Sequence, residues 1–174
     1  MLIPNDSLIG NQYNAGKVSI DGLELSLQQA WQIGAVQMPL NVNYTYSSAT
    51  FDETFASELD SWGNVQQGDD LPYLPQSVLQ VETGVKGFNW HVLASLQMID
   101  DMRTQAGRGA FNSATDVKAR TVMNLSAQYT LSEGQQVYMV IDNVTDEEYI
   151  ATRQHGAIQV GKPRTVQVGY RYSF

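Results

Sequence analysis

The sequence predicts an all-β fold, an antiparallel sheet of about seven strands with one apolar and one polar face. Three observations predict it. Apolar and polar residues alternate with period two in seven stretches, the links between those stretches are short and long in turn, and no run of about 18 apolar residues exists to cross a membrane as a helix. Segregation of link length by end has no purpose in a soluble sandwich. It is the pattern of a transmembrane β-barrel, with tight turns on one side and long loops on the other.

The strands follow in order. In residues 18–31, Leu23, Leu25 and Leu27 share one face and Gly22, Glu24, Ser26 and Gln28 the other. In residues 38–51, Val42, Tyr44 and Tyr46 alternate with Asn41, Asn43, Thr45 and Ser47; in residues 76–85, Leu79, Val81, Thr83 and Val85 alternate with Gln80, Glu82 and Gly84. Trp90, Val92, Ala94, Leu96 and Met98 form the next stripe, and Thr121, Met123, Leu125, Ala127 and Tyr129 the one after. Val137, Met139 and Ile141 carry the scheme to Asn143. The last strand runs from Arg164 to Phe174, with Val166, Val168, Tyr170, Tyr172 and Phe174 opposed to Thr165, Gln167, Gly169, Arg171 and Ser173. Such a length is about what a tilted strand needs to cross an outer membrane. Short links fall at residues 32–37, 86–89 and 132–135, where Gly and polar residues supply turn geometry, and long links at residues 52–75, 104–116 and 146–163. Trp31, Tyr46, Trp90, Tyr129, Tyr149 and Phe174 lie near strand ends, as interfacial girdles do.

Composition removes several functions. With 18 Asp and Glu against 10 Lys and Arg, a net charge of -8, the chain lacks the basic footprint that nucleic acid requires. It has no cysteine, so disulfides and thiolate metal sites are excluded. No nucleophile, metal triad or paired-carboxylate motif stands out, which argues against an enzyme, and no cofactor is implied. Residues 1–7 show no basic stretch followed by an apolar one, so a secretory signal is expected upstream.

Two motifs carry a resemblance. Val140-Ile141-Asp142-Asn143-Val144-Thr145-Asp146-Glu147-Glu148-Tyr149 resembles the penultimate-strand motif of TonB-dependent outer-membrane receptors, with Asn143, Asp146 and Tyr149 at its fixed positions and Val144 where Leu is usual. Gly161-Lys162-Pro163-Arg164, followed ten residues later by Phe174, is similar to that family's entry to the last strand, through Pro163 and Arg164. Asn14 to Glu24 and Leu71-Pro72-Tyr73-Leu74-Pro75 resemble further strand-entry segments, so the likeness covers residues 11–174. It implies that residues 1–174 form the C-terminal portion of a receptor barrel, seven of about 22 strands, without the N-terminal plug. It further implies a bacterial outer-membrane location in contact with lipid, import of a ferric chelate such as a siderophore or ferric citrate, and contact with TonB through the plug. The terminal Tyr170, Tyr172 and Phe174 would be read by the barrel-assembly machinery. From the residues alone, a self-contained barrel that binds a small ligand in its mouth, membrane-bound or soluble, stays open beside this reading.

A ferric chelate is rich in oxygen acceptors, so donors at the loop end are its candidate contacts, and Arg is the best of them because its planar fork makes two hydrogen bonds. Arg103, Arg108 and Arg153 stand out in an acidic chain, with His155 close to the last; acids such as Asp100, Asp101, Glu147 and Glu148 are expected to compete for them. The pairs Asp69-Asp70 and Asp100-Asp101 lack calcium-loop spacing and read as solvated loop ends. His91, beside Trp90, reads as a solvated group on the polar face.

Overall fold

The computed structural model describes residues 16–59, 61–154 and 157–174. In chain order its strands are β1 (Val18–Ile33), β2 (Val36–Phe51), β3 (Phe55–Ala56), β4 (Asn64–Val65), β5 (Ser77–Lys86), β6 (Trp90–Ile99), β7 (Arg120–Ser132), β8 (Gln135–Asp142), β9 (Ile150–Thr152), β10 (Gln159–Val160) and β11 (Thr165–Tyr172). Seven of them make one antiparallel sheet in the order β1-β2-β5-β6-β7-β8-β11, each strand beside the next long one in sequence. These are the strands that the alternation predicts. The two small pairs, β3 with β4 and β9 with β10, are hairpins inside long loops, too short to carry a period of their own.

Register fixes the faces, because residues directly opposite in an antiparallel pair project to the same side. Leu27 faces Val42, Val42 faces Val81, Val81 faces Leu96 and Leu96 faces Met123; Leu125 faces Ile141, which faces Val166. The apolar stripes therefore join into one surface across all seven strands, with Asp21 near the loop end of β1 as its charged exception. The opposite surface carries Ser26, Asn43, Gln80 and Gln97 in one rung and Gln28, Asn41, Glu82, Ser95 and Asn124 in the next. His91 sits there too, between Lys86 and Gln128, as the alternation predicts.

The apolar surface remains exposed: Leu23, Leu25, Leu27, Val166, Val168 and Tyr170 are each more than half accessible. The buried apolar residues lie elsewhere, under the loops at one end. Ala49 and Phe51, on the polar-face side of β2, are buried, as is Val65 of β4, while Met102 and Val117 are buried between the β6 and β7 ends. Phe51, Phe55 and Trp62 pack edge to face, with ring centroids 5.5 to 6.1 Å apart. An apolar sheet face that stays uncovered while a core forms beneath the loops is what a lipid solvent selects.

All three short turns lie at the other end. The β1–β2 turn needs only residues 34 and 35, tighter than the predicted link, because Gly34 takes a φ of 59°. Among the described residues β1 and β11 have no partner on their outer edges, so the sheet is an arc of a barrel rather than a closed one.

Candidate functional site

The three long loops, residues 52–76, 100–119 and 143–164, share the end opposite the short turns. The first folds back over β2: Phe51 N donates to Asp69 O at 2.9 Å, Leu71 N to Ala49 O at 3.0 Å and Gly68 N to Phe51 O at 2.7 Å. It is fastened in turn to the second loop, through Asp70 N to Gly107 O at 2.9 Å, Tyr73 N to Arg103 O at 2.8 Å and Ala106 N to Ser61 O at 2.8 Å. Asp116, buried in the second loop, accepts from Asn112 N at 2.8 Å and Thr104 N at 3.1 Å, and so fixes that loop's path.

Arg103 and Arg108 belong to this fastening. The Arg103 Nε lies 3.3 Å from Asp70 Oδ2, its Nη2 donates to Gly109 O, and its guanidinium stacks 4.7 Å above the Phe111 ring. Only 10% of its side chain is exposed. Arg108 Nε lies 3.2 Å from Asp69 Oδ1, and its Nη2 donates to Gln67 O at 3.0 Å; its side chain is 58% exposed. The acids that pair with these arginines are thus Asp69 and Asp70, not Asp100 or Asp101, and Asp69 is buried rather than solvated as the sequence suggested. Asp101 instead caps Ala119 N.

The third loop is held differently. Asn143 is 1% exposed, in the left-handed region at φ 51°, and its side chain is fully used. Nδ2 donates to Glu147 O at 3.0 Å and Lys162 O at 2.9 Å, Oδ1 accepts from Glu147 N at 2.9 Å, and the backbone N donates to Asn124 Oδ1 at 2.9 Å. Asp146, at φ 55°, accepts from Arg164 N at 3.0 Å and pairs with Arg164 Nη2 at 3.4 Å. Pro163, just before it, carries the chain toward β11, and Lys162 forms an ion pair with Asp142. The Tyr149 ring lies flat against Gly161, where any Cβ would collide with it, and the Arg120 guanidinium is 5.4 Å from its centroid. Tyr149 therefore stands apart from the outward aromatics Trp31, Tyr46, Trp90 and Tyr129. The five motif residues form one clasp that closes the base of the loop.

Arg153 lines a cleft of about 400 Å³ between the second and third loops, with Asp116, Lys118, Glu147, Glu148 and Tyr149. Its Nε is buried and has no hydrogen-bond partner among the described residues. Burial pushes the Tyr73 phenol above its ordinary pKa and the Arg153 charge pulls partly the other way, so Arg153 is within electrostatic reach of the first loop as well. His155 lies outside the described residues. Lys118 was not singled out by sequence reasoning, and its place so close to β7 offered no signal. At the opposite end Tyr170 donates to Gln135 Oε1 at 3.1 Å, and Tyr172 and Phe174 have ring centroids 6.2 Å apart.

A meander of long amphipathic strands with an apolar outer face, tight turns at one end and interlocked loops at the other defines a sector of a membrane β-barrel. The family model for the TonB dependent receptor-like beta-barrel matches residues 2–144, and the chain belongs to that family, whose members are receptors and not enzymes. No curated protein matches the chain. Among solved structures it is similar to the siderophore receptor PiuA from Acinetobacter baumannii, with TM-score 0.71 and 17% identity over 90% of this chain and 22% of that one. It is also similar to the closed form of the ferric-catecholate import receptor Fiu from E. coli K12, with TM-score 0.67 and 19% identity over 91% of this chain and 21% of the other. The chain thus spans about a fifth of the length of these receptors.

Proposed function

We propose that this chain is the C-terminal sector of a bacterial outer-membrane receptor that binds a ferric chelate, a siderophore or ferric citrate, and imports it with energy from TonB, contacted through a plug domain encoded elsewhere in the complete protein. The observation that carries the reading is the cleft between the second and third loops, where Arg153 keeps an unpaired buried donor beside Lys118. A buried guanidinium N–H without an acceptor costs free energy that an oxygen-rich ligand recovers. The family and the printed functions of PiuA and Fiu support the same reading. The unpaired edges of β1 and β11 favour a sector over a self-contained small barrel, since in lipid each unmet backbone group costs several kcal/mol.

In this account Arg153 meets the ligand directly, while Arg103 and Arg108 act by holding the rim in shape. Arg153→Ala in the receptor should weaken chelate binding by about 1.5 to 3 kcal/mol. Undiminished binding and uptake of every ferric chelate tested by an assembled Arg153→Ala receptor would overturn the assignment. Tyr170, Tyr172 and Phe174 serve as the signal read by the barrel-assembly machinery. Deleting Phe174 should then cut the amount of heat-modifiable receptor in the membrane far more than the loss of one exposed side chain would, which is usually within about 0.5 kcal/mol.

A further inference from the structure

Two uncommitted donors stand on the inner face at the free edge of β11. Gly169 lies directly opposite Tyr138 of β8, and a Cβ at Gly169 would overlap the Cζ and Oη atoms of that tyrosine. Opposed Cβ positions are about 5 Å apart, so the ring lies straight across the gap between the strands and sets its hydroxyl over β11. Gly84 is overhung by Leu93 in a similar manner, but there an apolar side chain fills a space between strands that are paired on both sides. β11 has no strand beyond it among the described residues, and the Tyr138 hydroxyl makes no hydrogen bond with any of them. Packing accounts for Leu93; it leaves the Tyr138 hydroxyl unexplained.

The second donor is Arg171, two residues further along β11, whose guanidinium stands 6.0 Å from the Tyr138 ring centroid. Arg171 is exposed and forms no ion pair among the described residues. The carboxylates of the inner face lie elsewhere. Glu24 and Glu82 are on β1 and β5, four or more strands from β11. Asp142 lies opposite Thr165, six residues or about 20 Å from Arg171, and pairs with Lys162. The other cations of this face bring no balance: Arg120 is at the loop end under Tyr149, and Lys86, beside His91, shares the rung of Tyr138 and adds positive charge to the same end.

A strand that joins the free edge of β11 is oriented by backbone hydrogen bonds, but a slip of two residues restores those bonds and leaves every side chain on its own face. Side chains must then select the register. Of Thr165, Gln167, Gly169 and Arg171, which face inward, only Arg171 is charged, and a slip of two residues would carry an opposing charge about 7 Å away from it. The bare backbone of Gly169 leaves the Tyr138 hydroxyl open to the same incoming strand, about 4.8 Å beyond β11.

We propose that Tyr138 and Arg171 are a register lock for barrel closure: the strand of the complete receptor that joins the free edge of β11 presents an inner-facing carboxylate that accepts hydrogen bonds from both. A carboxylate has acceptors enough for the phenol and for a two-pronged guanidinium, and it balances the positive charge at this end of the face. The Tyr138 ring holds Arg171 in aim, and the missing side chain of Gly169 lets the ring lie flat. The inference rests on the reading of the chain as a barrel sector and concerns closure, not cargo.

The test is the rate at which the complete receptor carrying this sector unfolds in urea, read as loss of heat-modifiable migration. Tyr138→Phe keeps the ring over Gly169 and removes only the hydroxyl, and should unfold about threefold faster, as for one lost neutral hydrogen bond. Arg171→Gln should unfold about tenfold faster or more, as for lost bonds to a charged group. Arg171→Glu should be the least stable of the three, and lysine in place of the facing carboxylate of the closing strand should return it to within about twofold of the unaltered receptor. Unchanged rates in assembled Tyr138→Phe and Arg171→Gln receptors would overturn the lock and leave the ring as a filler of the space above Gly169. Failure of lysine at every inner-facing acid of the closing strand to restore Arg171→Glu would overturn the carboxylate; if Arg171→Glu does not assemble, the same exchanges made in the unaltered receptor should speed unfolding about as much as Arg171→Gln does, and no effect from any of them would overturn it equally. None of these rates depends on a bound chelate, so their failure leaves the import reading standing. A complete protein in which no strand joins β11 would instead remove the sector reading and the lock together.

Discussion

The rim and the clasp solve the same problem, holding long loops above a barrel sector, with opposite chemistry. The rim ties the first loop to the second by charged pairs whose partners are 33 and 39 residues apart, Arg103 with Asp70 and Arg108 with Asp69. The clasp closes the third loop around the neutral, buried side chain of Asn143, which reaches Glu147 four residues on and Lys162 nineteen residues on, with the exposed Asp146–Arg164 pair at its edge. Neutral bonds in a buried site are costly to lose and indifferent to salt, whereas exposed ion pairs are cheap and screened. The difference teaches that the base of the third loop is held by bonds salt does not reach, while at the rim only the exposed Arg108–Asp69 pair is open to screening, because Arg103 is nearly enclosed and three backbone hydrogen bonds also join the two loops.

Asn143→Ala should have the largest effect. It strips hydrogen bonds from Glu147 and Lys162 and forces a Cβ residue without a polar side chain to keep a positive φ, at a cost on the order of 3 kcal/mol or more. Urea unfolding of the refolded receptor reads it directly, and a cost smaller than that of any rim variant would break the contrast. Arg103→Ala comes next, at about 1 to 3 kcal/mol, since its side chain is nearly enclosed and Asp70 and Gly109 O lose their donor. Arg108→Ala should cost less than about 1 kcal/mol, and about 1 M salt should erase even that without touching the Asn143 effect. The smallest effect concerns Tyr73. Burial raises its phenol pKa, so its contribution to stability is whole below the unfolded value near about 10 and fades as pH rises through the higher folded value. Ultraviolet titration should show a late-ionising tyrosine that Tyr73→Phe removes; a Tyr73 that ionises before the exposed tyrosines would contradict its partial burial.

The same contrast explains what the sequence revealed. The seven long strands were legible because one solvent faces each side, which forces a period of two over eight to sixteen residues. The clasp was legible as a motif because Asn143, Asp146 and Tyr149 act within one short stretch that demands left-handed backbone at fixed positions. The rim was not. Arg103 and Arg108 were visible as rare cations, but their partners lie in a different loop, and neither composition nor spacing separates Asp69 and Asp70 from Asp100 and Asp101. Likewise Tyr149 looked like a girdle aromatic at the strand end, and only the close approach of Gly161 gives it its place.

The central claim is that the sheet has a lipid face and a lumen face, set by the register of β8 and β11. Val168 pairs with Met139 on the outer face and Gln167 with Val140 on the inner one, one residue apart in the same strand. Arginine placed at each position in the complete receptor, with folded barrel in the outer membrane measured by heat-modifiable migration, compares the two faces in a single experiment. The account predicts that Val168→Arg loses about 2 to 4 kcal/mol of stability and most of the assembled receptor, while Gln167→Arg assembles normally. Normal assembly of Val168→Arg together with a severe defect in Gln167→Arg would contradict it.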